Sequence, residues 1–435
     1  MRATKVVRVR EKMTIGEKMA AIRKAVGMTQ DDLSAATGYS NSSIGNYENA
    51  RGNIPAYAFI VFRNATDTHD IPLTDDEIAA FKKEQLDAWN YMVNFGDIAK
   101  ATEMQPKLAR CIELSYDLDL QVLYDIYCIN YNCVIKEKKE ALKLVGYLNE
   151  LEPQFTDEHR YWHYRYLGAI EHWSWRYKAA VALYMKAEEI GNRYNLNDKA
   201  LYYNIGSCFT YMGYPYRAIV YLEKIQIKKF DASNITFGLA IQRLLAINYA
   251  KLGRVDEALE LLEGYHRYLI DEKKDDNFRL GRVYHHYGSV YQESGDYMKA
   301  LENFNMASKY FDIKSEEHLE NLCSKALLLR IINKNDDVVA CLNEGLSIVT
   351  EGTLWSEWLH ALKHSLTLDR KGSADYLEYT SIPRFHDYGK HALAIECYEW
   401  LSSNCIKNGT YKPAGEYSRK ATEIYKQLIK GDLSL

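Results

Sequence analysis

Apolar positions near the start of the chain fall at Ile15, Met19, Ile22 and Val26, the three-to-four-residue rhythm of one helix face. Thr14 stands just before this run and Glu17 three residues on, a pairing that closes a helix N-terminus through reciprocal hydrogen bonds. Gly27 supplies the stop. Thr29-Gln30-Asp31-Asp32 opens a second helix with the same chemistry, its inner face predicted as Leu33, Ala36 and Thr37. Gly38 and Tyr39 make a turn. Ser40 caps a third helix, Asn41 to Asn49, with Ile44 and Tyr47 inward. Arg51-Gly52-Asn53-Ile54-Pro55 closes it, and a fourth helix is predicted from about Ala56 to Asn64. The polar, proline-bearing stretch 65–72 reads as a linker. Thr74-Asp75-Asp76-Glu77 repeats the capping signature and starts a helix to about Tyr91.

Behind this head the pattern changes period. Gly206 is followed seven residues later by Gly213, and five after that by Ala218. The same spacing recurs at Ala246, Gly253 and Ala258, and at Gly288, Gly295 and Ala300. Gly168, Trp175 and Ala180 fit with one substitution. Ala326, Asn333 and Val338, then Ser365, Gly372 and Leu377, then Ser402, Gly409 and Ala414 continue the series. Asn130, Glu137 and Leu142 form a degenerate first copy. Starting points lie 37 to 42 residues apart. Each feature has a steric reason. A small first residue lets two antiparallel helices cross closely. A glycine in the turn can take positive φ as a helix C-cap. The third position lets the second helix approach the first, while Leu222, Tyr249, Leu262, Tyr291 and Phe304 fill the spaces between. One such pair cannot bury its apolar face alone, so the pairs must stack.

In a stacked array the first helix of each pair lines the concave face. Three residues before the small position stand Arg165, Tyr203, Arg243 and His285; two before it come Tyr166 and Asn204; four after it come His172 and Gln292. Aromatics, an amide and cations in one groove suit an extended peptide: Asn204 could bond its backbone, and an arginine could hold a carboxylate.

Composition adds three constraints. Only 7 prolines in 435 residues favour long helices over a loop-rich β fold. The net charge of −4 is uneven: residues 1–63 hold ten Lys/Arg against five Asp/Glu, so the rest carries −9. A basic head on an acidic body directs only the head towards a polyanion. Residues 1–13 form a basic arm (Arg2, Lys5, Arg8, Arg10, Lys12), a further candidate for DNA contact. The eight cysteines include no C-x-x-C pair, and no leader-like or membrane-length apolar run occurs, so a cytoplasmic protein with reduced thiols and no membrane contact is expected.

Two short helices joined by a glycine-containing turn are the helix-turn-helix arrangement. Residues 18–62 resemble the phage-repressor-type (XRE/Cro-like) domains, through Thr29-Gln30 at the second helix start, Leu33 and Ala36 in its core, Gly38 in the turn, and Ile44 and Glu48 in the third helix. That geometry places the third helix in the major groove. The expected base readers are Asn41, Ser42, Ser43 and Asn46, with Arg23, Gln30 and Arg51 on phosphates. The repeats resemble the tetratricopeptide repeat, somewhat lengthened. The expected fold is therefore all-α: a five-helix head at 14–66, a linker helix at 67–91, and a right-handed tetratricopeptide superhelix at 92–435.

Head and repeats together resemble the Rap/Rgg/NprR/PlcR/PrgX (RRNPP) quorum-sensing regulators, most like the NprR branch in length and order. That resemblance implies a transcriptional regulator binding double-stranded DNA, controlled by a short signalling peptide in the groove, and working as a homodimer or higher oligomer. The alternative is a Rap-like protein that binds a response regulator and alters phosphoryl transfer, for which Gln105 and Gln121 are available to position water. No nucleotide-binding, metalloprotease or nucleophile-elbow motif is present, so no enzyme and no cofactor are expected. His360 and His364 share a helix face without a third ligand, too little for a metal site.

Overall fold

The computed structural model describes residues 14–49, 51, 56–66, 74–95, 97–115, 117–225, 235–271, 276–368 and 372–430. The basic arm and residues 67–73 of the expected linker lie outside these. Among the described residues every regular element is helical, and no helix is long and apolar enough to cross a membrane.

The head comprises α1 (Ile15–Val26), α2 (Gln30–Thr37), α3 (Asn41–Glu48) and α4 (Ala56–Ala65). Its caps are those the sequence predicts. The Thr14 hydroxyl accepts from the Glu17 amide while the Glu17 carboxylate accepts from Thr14, and Thr29 and Asp32 do the same for α2. Gly27 and Gly38 end their helices at φ 79° and 75°, the left-handed region that favours glycine. Met19, Ile22, Leu33, Ile44, Phe59 and Phe62 form the core. Two expected inward residues face out instead: Val26 and Ala36 are exposed. A fifth helix, α5 (Asp75–Phe81), runs through one π-helical turn (Lys82–Asp87) into α6 (Ala88–Phe95). It is tied to α1 by a buried Lys18–Glu77 ion pair of 2.5 Å.

There follow α7 (Ile98–Ser115), α8 (Leu118–Val134), α9 (Lys138–Leu151), α10 (Asp157–Trp173), α11 (Tyr177–Arg193), α12 (Lys199–Met212) and α13 (Pro215–Glu223). The series continues with α14 (Ile235–Lys251), α15 (Val255–Asp271), α16 (Asn277–Glu293), α17 (Tyr297–Tyr310), α18 (Glu316–Ile331) and α19 (Asn335–Ile348). It ends with α20 (Leu354–Ser365), α21 (Ser373–Tyr376), α22 (Ile382–Tyr388), α23 (His391–Lys407) and α24 (Tyr411–Lys430). The chain forms two compact units, 1–166 and 167–435.

The repeat signature works as the sterics require. A Cβ at Gly288 would lie 2.6 Å from the Phe304 ring, and one at Gly168 2.6 Å from Tyr184. The turn glycines 213, 253, 295 and 409 all have positive φ, and Trp175 and Asn333 adopt φ of 62° and 59° in the same role. The third-position residues Ala180, Ala218, Ala258 and Ala300 are fully buried. The degenerate first copy is out of register by one. Lys136, not Glu137, takes the left-handed turn, and Ala141 is buried where Leu142 is half exposed. One further triad escapes a search for small residues: Ile382, Gly389 (φ 72°) and Ala394.

Within the second unit the last helices return to the first. Trp175 packs edge-on against Trp355 at 5.0 Å. Tyr214 meets the His391 ring at 6.2 Å, and Leu428, Ile429 and Lys430 border a small cleft with Tyr214, Tyr216 and Arg217.

Candidate nucleic-acid interface and solenoid interior

The outer face of α3 carries the candidate readers. Ser42 and Asn46 are exposed and make no side-chain hydrogen bond among the described residues. Ser43 shares a 2.8 Å bond with the capping hydroxyl of Ser40. Asn41 donates to the Asp31 carboxylate of α2, which fixes its amide. Arg51 is exposed at the foot of α3.

Two expected phosphate contacts are engaged elsewhere. Arg23 grips Glu48 through Nε at 2.5 Å and Nη2 at 2.8 Å, and donates Nη1 to the Met28 carbonyl. Gln30 donates Nε2 to the same Glu48 at 2.9 Å. Burial pushes the Glu48 carboxyl up, but the bonds from Arg23 and Gln30 outweigh it and hold the group below the usual range. Arg23 is therefore a brace locking α1 and α3 together, not a phosphate ligand. Gln30 helps to set the height of α3 on α2.

The groove residues divide in the same way. Tyr166 is 1% exposed and Arg165 3%, so neither lines an open surface. Arg165 lies 4.9 Å over Trp162 and donates to the Tyr166 hydroxyl, which in turn donates to Asn90 on α6. Both belong to the packing of the first unit. His285 is also buried, bonded to Asn321 at 3.0 Å. Arg243 is buried as well, with Nη1 2.9 Å from Nε2 of His286; the guanidinium donates, so that imidazole nitrogen is unprotonated. Arg165, Tyr166, Arg243 and His285 are thus buried and line no open surface.

The others remain reachable. Asn204 and Gln292 are half exposed, with no side-chain partner among the described residues. Tyr203 is half exposed and packs on Phe237 at 5.4 Å. His172 is half exposed beside Tyr177; desolvation first, and the Lys390 charge second, push it down to about 4, so it is neutral near pH 7.

Sequence reasoning missed a second set. Tyr211 and Lys251 stand five residues after their small positions, not four, and are half exposed and exposed, whereas Thr210 and Ala250 one residue earlier are buried. Tyr177 and Tyr211 stack at 5.1 Å, with the Lys390 ammonium 4.9 Å from each ring. Arg282 donates to the Tyr211 hydroxyl at 3.3 Å and lies 3.5 Å from Glu320.

The rival constellations are weaker. Gln105 donates to the Tyr124 hydroxyl at 2.7 Å, which occupies its amide. Gln121 is half exposed. His364 stacks on Tyr376 at 4.2 Å and His360 faces Glu351 at 3.4 Å. No group of three or more metal-ligating side chains occurs among the described residues.

Comparison with known proteins agrees with this fold. Residues 19–58 match the helix-turn-helix family and residues 239–313 the tetratricopeptide repeat family. The chain is 19% identical over 362 residues to the transcriptional activator NprA of Geobacillus stearothermophilus, covering 78% of this chain and 87% of that protein. The crystal structure of NprR in complex with its cognate peptide NprX superposes with a TM-score of 0.68 at 16% identity, over 78% of this chain and 98% of that one. The apo form of the quorum sensor NprR from B. thuringiensis gives 0.59 at 16% identity, over 79% and 98%. A Rap protein complexed with competence and sporulation factor gives 0.67 at 14% identity, over 82% and 99%. A helix-turn-helix head followed by tetratricopeptide pairs, in this order, makes the chain similar to the RRNPP-type regulators. It shares the fold of NprR and of the Rap protein.

Proposed function

We infer that the protein is a cytoplasmic transcriptional regulator that reads operator DNA with α3 and is controlled by a short peptide held inside its tetratricopeptide unit. The observation that carries the reading is the pairing of two open, unsatisfied polar surfaces: Ser42 and Asn46 on α3, and Asn204 and Gln292 on α12 and α16. An asparagine amide can bond an adenine edge in bidentate fashion, and a serine hydroxyl adds a weaker contact. An amide in the interior can bond a peptide backbone, which has no other way to satisfy its polar groups once it leaves water. NprR, whose fold this chain shares, is a quorum sensor solved with its peptide, and NprA is named an activator; both support the reading. The protein acts as a homodimer or higher oligomer, placing two heads on half-sites one or more helical turns apart. It is not an enzyme, and Gln105, held by Tyr124, favours this over a phosphatase-like role.

The test is selection from random duplex DNA on the full chain, followed by affinity measurement on the selected sequence. The Ser42→Ala/Asn46→Ala protein should lose about 1–3 kcal/mol of discrimination against mismatched bases while keeping its salt-dependent affinity. No enriched sequence would refute the reading.

A further inference from the structure

Three cations meet inside the second unit. Lys251 closes α14, Arg282 lies on α16, and Lys390 sits in the turn before α23. Arg282 has a carboxylate partner, Glu320, at 3.5 Å. The two lysines have none: among the described residues neither forms an ion pair. Lys251 donates to the Thr210 carbonyl at 3.2 Å, and Lys390 lies 4.9 Å from the rings of Tyr177 and Tyr211.

Lys251 is exposed and Lys390 half exposed, so water reaches both. Yet protein surrounds them on most sides, and desolvation pushes the Lys390 amine down to about 8, against the attraction of Glu320 and with the repulsion of Lys251. Lys251 is pushed down by desolvation too, with Glu293 opposing. Being open to solvent while poorly solvated is what a concave lining does to a charge. Neither lysine has a carboxylate within ion-pair distance among the described residues, and the attraction of Glu320 and Glu293 only partly offsets the cost of desolvation. Such an arrangement is expected where a ligand supplies the missing charge.

We propose that Lys251 and Lys390, steadied by Arg282 and Tyr211, form a carboxylate-binding subsite that anchors the signalling peptide by its C-terminus or an acidic side chain. This rests on the peptide reading above. The aromatic pair Tyr177 and Tyr211 fixes the Lys390 ammonium from one side and leaves its remaining donors for the ligand. Asn204 and Gln292, with free amides, serve the backbone of the same peptide.

The experiment presents immobilised full-length protein with random synthetic heptapeptides in four pools. These have free or amidated C-termini, each with or without Asp and Glu, and retained peptides are identified by mass spectrometry. Retention by the wild type is expected only from pools that contain a carboxylate. The free-terminus and acidic pools distinguish the two sources. Lys251→Met/Lys390→Met should cut that retention more than about tenfold, the value of a charge-assisted bond. Lys251→Arg/Lys390→Arg should stay within a few-fold of wild type. The methionine protein should unfold at or above the wild-type temperature, which shows that it folds. Equal retention of amidated peptides lacking Asp and Glu, or undiminished retention by the methionine protein, overturns the subsite while leaving the peptide reading intact. No retention from any pool overturns both.

Discussion

Gly288→Ala puts the repeat signature to a quantitative test. The added methyl would lie 2.6 Å from Cδ1 and Cε1 of Phe304 and 3.0 Å from Cγ. Carbon atoms rest at about 3.5–4.0 Å, so α16 and α17 must separate by roughly 1 Å. The ring cannot yield: Phe304 is fully buried with Ala300 and Leu328, and His285 stands 5.5 Å away. Overpacking of this kind costs about 1–3 kcal/mol. Better helix propensity for alanine returns about 1 kcal/mol at most. The net is a loss of up to about 2 kcal/mol, read as a lower urea midpoint at unchanged slope. Gly264→Ala is the control. It lies on the exposed side of α15 with nothing within 4 Å, so the propensity gain stands alone and stability should rise by about 0.5–1 kcal/mol. Adding Phe304→Leu to Gly288→Ala should recover part of the loss by giving the methyl room. If Gly288→Ala proves as stable as Gly264→Ala, close helix crossing is not why a small residue stands there.

Other outcomes follow from the head and the C-terminal repeats. Glu48→Ala leaves the Arg23 guanidinium, whose side chain is 12% exposed, without its counter-charge. The head should lose about 3 kcal/mol, seen as faster amide exchange in α1 and α3, and DNA affinity should fall with it. Removing both charges in Arg23→Met/Glu48→Leu should recover much of that stability. His391 is fully buried, 3.1 Å from the His386 ring nitrogen, and desolvation above all pushes it down to about 4. It is neutral in the fold, while the unfolded chain takes up a proton below about 6.5. Its contribution is therefore present above pH 6.5 and is lost as pH falls from about 6.5 to 4, by up to about 3 kcal/mol. His391→Gln should flatten that acid limb in thermal unfolding; an unchanged limb would refute the assignment.

Much of this architecture was readable because its causes are local. A capping threonine, a left-handed glycine and a small residue at a crossing are each set by a few neighbouring atoms, so Thr14, Gly213 and Gly288 announce themselves. Register failed where the steric rule was met by an unexpected residue: Lys136 takes the turn, and Ile382 stands where a small residue was sought. Function was less legible because charge does not reveal its partner. Arg23 meets Glu48 twenty-five residues on, and Arg165 is spent on Trp162 and Tyr166. In the copies at Gly206 and Ala246 the open residue lies one further on than expected, a rotation of about 100° on a helix. Of the residues four past the small position Thr210 and Ala250 are buried while His172 and Gln292 are half exposed, and Tyr211 and Lys251, one residue further on, are open to solvent. No periodicity could place Lys390, which reaches Tyr177 only because the last repeats return to the first.

The central claim is that occupancy of the tetratricopeptide unit governs what the head does on DNA. The direct measurement is the affinity of the full chain for its selected duplex, with and without a saturating amount of the peptide it retains. The account predicts a change of at least about tenfold, a coupling of about 1.4 kcal/mol, and a matching change in peptide affinity when DNA is bound. Identical DNA affinity in both conditions would contradict it.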